Sequence, residues 1–71
     1  MPRREMLVNK LGELGFKFHK QADRVNLYKR GTMIVSVRRR DEISDEATRS
    51  VLRQAGLPAE DVERFIAHCR S

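Results

Sequence analysis

The chain is short of the residues that staple or crowd a small protein: its 71 positions hold one cysteine, two prolines, no tryptophan, three phenylalanines and one tyrosine. A single thiol, Cys69, cannot close an internal disulfide, and no second cysteine or nearby histidine makes a metal ladder with it. No metal and no cofactor are expected, and a reducing, cytoplasmic setting fits best. Uncharged runs such as Thr32 to Val37 fall far short of the roughly 20 apolar residues of a membrane span, and no apolar stretch follows the basic start as in a signal peptide. No membrane partner is expected. A glycine-rich phosphate loop, paired catalytic carboxylates and a Ser-His-Asp order are all missing too.

Charge is what the chain has in quantity. Charged residues make up 35% and hydrophobic residues 39%, a globular composition that predicts one domain over residues 1–71 with a thin core and modest stability. The formal charge of +5 is unevenly placed. Residues 1–40 hold eleven Lys/Arg against three Asp/Glu, a balance of +8, whereas residues 41–71 hold four against seven, a balance of −3. A basic half of this kind points to an anionic partner, nucleic acid above all.

Periodicity divides the chain into six elements. Leu7, Leu11 and Leu14 form one stripe of a helix over residues 3–14, with Gly15 placed to cap it. After Gly15 the period becomes two: Phe16 and Phe18 alternate with Lys17 and His19, Val25 and Leu27 with Asn26 and Tyr28, and Met33, Val35 and Val37 with Ile34 and Ser36. The short breaks Gln21-Ala22-Asp23 and Arg30-Gly31-Thr32 predict an antiparallel meander of three strands. Ser44 before Asp45 and Glu46 predicts the N-cap of a second helix, with Ala47, Val51, Leu52 and Ala55 on its stripe and Gly56 at its end. Pro58 and the acids Glu60, Asp61 and Glu63 open a third, short helix carrying Val62, Phe65, Ile66 and Cys69. The expected fold class is α+β: α-β-β-β-α with helices on one face of the sheet, plus a short C-terminal helix.

These segments resemble HicA-like proteins, small toxins of bacterial toxin-antitoxin pairs with a fold akin to double-stranded-RNA-binding domains. Leu7 to Phe16 resembles the family's leading helix, glycine and aromatic strand start. Val35-Ser36-Val37 resembles its third strand, and Thr48 to Leu57 its second helix with its ending. Members that cleave messenger RNA carry a Gly-Ser-His segment at the opening of the second strand, with the histidine as catalytic group. Anchoring on Leu27-Tyr28 puts Asp23, Arg24 and Val25 at those positions. Valine neither accepts nor donates a proton, so the resemblance implies an RNA-facing surface without the nuclease.

The expected contacts to RNA are Lys17, Lys20, Arg24, Lys29, Arg30, Arg38, Arg39 and Arg40 on phosphates, with Tyr28 and Asn26 on one strand face to stack on a base or hydrogen-bond a 2′-hydroxyl. A basic face without a base-reading motif suits structured or double-stranded RNA. Two other readings stand beside this one. In the first, His19 takes over as base of an active messenger-RNA interferase. In the second, the domain is an interaction module for a HicB-like antitoxin. Exposed strand edges also allow a homodimer.

Overall fold

The computed structural model describes residues 2–70, and its element order is the expected one: α1 (Arg4–Glu13), β1 (Lys17–Gln21), β2 (Val25–Arg30), β3 (Met33–Arg38), α2 (Asp45–Gln54) and α3 (Ala59–Arg70). The three strands form one antiparallel sheet in the order β1-β2-β3. Leu7 and Leu11 of α1, Thr48, Val51 and Leu52 of α2 and Val62 and Ile66 of α3 are buried with Val35 and Val37 of β3, so the helices cover one face of the sheet. Among the described residues no helix is long and apolar enough to cross a membrane.

Both glycine caps form as the sequence predicts. Gly15 and Gly56 have φ of +93° and +94°, the left-handed conformation in which glycine is strain-free. Behind them Phe16 N–H donates to Leu11 O at 2.9 Å and Leu57 N–H to Leu52 O at 3.0 Å, while the glycine N–H groups reach Gly12 O and Arg53 O, each at 3.0 Å. This is the Schellman pattern at both helix ends. Ser44 Oγ accepts from Ala47 N–H at 3.1 Å, capping α2 as expected. The β2–β3 connection is the two-residue turn Gly31-Thr32, with Gly31 at φ +61°.

Three features depart from expectation. The phase of β2 is inverted. Tyr28 lies opposite Val35 and Asn26 opposite Val37, so Asn26, Tyr28 and Arg30 share the helix-covered face and Tyr28 is buried in the core. Val25 and Leu27 point to the open face instead. The run Val25-Asn26-Leu27-Tyr28 offers apolar residues in both phases; burying the large Tyr28 ring and the Arg30 stem outweighs burying two aliphatics.

The second departure lies in β1, where the pairing shifts between Phe18 and Lys20. His19 is the extra residue of a β-bulge, and Phe18 is 58% exposed although it shares a face with Tyr28. Third, α3 is not short: its 12 residues make it the longest of the three helices. Bidentate hydrogen bonds from Arg49 to Glu63 at 2.6 and 2.9 Å and an ion pair between Arg70 and Asp45 tie it to α2.

The two ends of the α1-to-sheet unit are joined by backbone alone. Arg4 N–H donates to Asp41 O and Ile43 N–H to Pro2 O, both at 2.8 Å, with Arg3 and Glu42 bridged between them. Asp41 thereby satisfies a donor of the first turn of α1, whose Arg3 cap offers no side-chain acceptor.

Candidate nucleic-acid interface

The open face of the sheet follows from the register. Lys17 lies opposite Lys29, which lies opposite Ile34; Lys20 lies opposite Leu27, which lies opposite Ser36; Val25 lies opposite Arg38. Residues directly paired across strands project from the same side, so these eight residues form one surface. Without the bulge, strict alternation would turn Lys20 to the side opposite Lys17. The extra residue His19 restores Lys20 to the lysine side, the re-aiming for which bulges are used. Lys17 and Lys29 face each other as like charges, an arrangement that weakens a sheet in the absence of an anion.

At the β1–β2 end this face runs into an open basin of about 580 Å³ lined by Arg24, Val25, Arg38, Arg39 and Arg40. Arg39 is engaged there through one guanidinium nitrogen. Its Nη1 donates to Ala22 O at 2.7 Å, to Val25 O at 2.8 Å and to Asn26 Oδ1 at 3.4 Å. Lys17, Lys20, Arg24, Lys29, Arg38 and Arg40 have no side-chain hydrogen bond or ion pair to any described residue. Six cations therefore stand along the open face and its adjoining basin without an ion pair among the described residues.

Three of the expected contact residues lie elsewhere. Tyr28 is in the core, so its ring is not offered to a base, and Asn26 beside it receives Arg39. Arg30 is a structural tie. Its Nη1 donates to Leu14 O at 2.6 Å and its Nη2 to Ala55 O at 3.3 Å and to Met33 Sδ at 3.4 Å. Its guanidinium carbon sits 4.7 Å from the Phe16 ring centroid. Leu14 and Ala55 are the C-cap residues of α1 and α2, so one cation meets the negative ends of two helix dipoles and a π face at once.

Sequence reasoning did not single out Ile34, which is 49% exposed on the edge strand of the open face, opposite Lys29. Its place follows only from the phase of β3, where Val35 and Val37 point inward. His19 is exposed in its bulge and has no side-chain partner among the described residues to orient it. Among the described residues no three of His, Cys, Asp and Glu gather to hold a metal ion. Burial raises the pKa of the Cys69 thiol, which disfavours the reactive thiolate. Compared with protein-family models, with curated proteins and with solved structures, the chain matches none.

Proposed function

We propose that this domain is a HicA-like RNA-binding module that holds structured or double-stranded RNA on its open sheet face and arginine basin without cutting it. The observation that carries the reading is that Lys17, Lys20, Arg24, Lys29, Arg38 and Arg40, along the open face and its basin, make no ion pair with any described residue. Each cation that meets a phosphate releases condensed counterions, which makes binding favourable and steeply salt-dependent. Phe16 and Tyr28 are buried, and the exposed Phe18 projects to the Tyr28 side of the sheet, so the open face carries no aromatic platform for splayed bases among the described residues. That favours the backbone of a duplex over a single strand. Val25 supports binding without cleavage: it stands in the basin, at the position where the family resemblance puts the cleaving histidine, and it cannot transfer a proton.

The test is a titration of labelled double-stranded RNA and length-matched DNA at several salt concentrations, followed by a denaturing gel of the recovered RNA. Six phosphate contacts predict an affinity loss of about 10³-fold between roughly 50 and 200 mM salt, with the RNA intact. Cuts that disappear in His19→Ala would replace this reading by the interferase one. Absence of binding at the lowest salt would redirect the basic face to an acidic protein partner such as a HicB-like antitoxin.

A further inference from the structure

The turn between β1 and β2 combines two costs that its own residues do not explain. Among the described residues Arg24 alone has a left-handed φ without being glycine, at +64°, a conformation that persists in such side chains where the surroundings over-determine it. Arg39 supplies that determination together with the turn's own bond from Ala22 N–H to Val25 O at 2.9 Å. Its guanidinium ties the carbonyls on either side of the turn, Ala22 O and Val25 O, and its own N–H donates to Arg24 O at 3.3 Å. The second cost is charge. The held turn sets Arg24 around one basin with Arg38 and Arg40, three guanidiniums without a side-chain partner among the described residues, and like charges gathered in one concavity repel. The charge cost is offset if an anion enters, and planar guanidinium forks match the oxygens of a phosphate.

We propose that this basin is a preorganised phosphate site in which Arg24, Arg38 and Arg40 contact the phosphate and Arg39 is the positioning residue that locks the turn. The carrier of the phosphate is an RNA backbone, which rests on the function proposed above; the site itself rests on the turn geometry and the basin.

Amide chemical shifts of the full chain are followed by NMR during titration with inorganic tripolyphosphate and, separately, with an RNA duplex of about 16 base pairs, the span of a double-stranded-RNA-binding domain. Both ligands are expected to move Arg24, Val25 and Arg38 to Arg40. Arg24→Gln, Arg38→Gln and Arg40→Gln, all at exposed positions, should each lower the salt slope of RNA binding by about 0.9. Arg39→Gln should weaken RNA binding roughly tenfold at an unchanged slope, because it unlocks the turn without removing a phosphate contact. Arg39→Lys should recover part of the loss, and it carries the same comparison if Arg39→Gln does not fold. A slope reduced in Arg39→Gln as in the other three would overturn the positioning role. Tripolyphosphate that leaves the basin amides unmoved overturns the site, whatever RNA does. RNA binding whose slope survives all three variants overturns the site and leaves the RNA reading standing. Tripolyphosphate seated in the basin with RNA unbound keeps the site, for a free polyphosphate, and removes the RNA reading.

Discussion

The helical and sheet halves of this domain use the same side chain in opposite ways. In the helices, three of five arginines are paired with acids among the described residues: Arg49 meets Glu63, Arg64 meets Asp61 and Arg70 meets Asp45, whereas Arg4 and Arg53 are not. In the sheet half, Arg24, Arg38 and Arg40 meet no acid among the described residues, and Arg30 and Arg39 donate to backbone carbonyls. A charge count treats all of these as positive surface. Their partners divide them into surface ion pairs, internal ties and free cations, and only the free cations are available to an anionic ligand.

The comparison is broken most severely at Arg30. If it is a tie rather than a contact, Arg30→Ala should lose two charged hydrogen bonds and its cation–π contact, about 2–4 kcal/mol. Thermal melting should fall by roughly 10–20 °C, while any protein that stays folded binds RNA with an undiminished salt slope.

A second test removes three charges from each half. Arg24, Arg38 and Arg40 changed together to Gln should cost roughly 100-fold in RNA affinity near physiological salt and leave melting unchanged. Arg49, Arg64 and Arg70 changed together to Gln should do the reverse, lowering the melting temperature and leaving affinity within about threefold. Equal effects on affinity would reduce the distinction between halves to net charge.

Smaller effects sharpen it further. A Cβ on Gly15 would sit 3.2 Å from Arg30 Cδ at a φ of +93°, so Gly15→Ala should cost about 1–2 kcal/mol by chemical denaturation. Lys17→Gln relieves its repulsion with Lys29, so stability should hold or rise by roughly 0.5 kcal/mol while the salt slope falls by about 0.9.

The smallest effect is in the ion pair between α2 and α3. The hydrogen bond from Arg49 holds Glu63 below its ordinary value of 4.5. Its stabilisation is therefore complete above that value and is lost as pH falls through the lowered one. Glu63→Gln should lack this acid-side loss in melting curves, with no difference from the parent protein's pH dependence at neutral pH.

How much of this was legible beforehand depended on range. Signals carried by a residue and its near neighbours were readable: the stripe of Leu7 and Leu11, the Ser44 cap, and the glycines behind both helices. The phase of β2 was not, because Leu27 and Tyr28 are adjacent and apolar, and the decision between them is made by what Arg30 reaches across the fold. The bulge at His19 left no local mark, since a strand with one extra residue reads like any other. The basin drew on residues the sequence did suggest, Arg24 and Arg38 to Arg40. The division of labour that sets Arg39 apart from its neighbours rests on carbonyls of the β1–β2 turn, 14 and 17 residues away, which no pattern of charges reveals.

Arg30 also bears on how so small a domain opens. One guanidinium on β2 holds the ends of both α1 and α2, so any opening that displaces Arg30 itself releases both helix ends at once. An opening of that kind exposes the two ends in a single event. In native-state hydrogen exchange, the amides of Phe16 and Leu57, 41 positions apart in the chain, should then open with the same free energy.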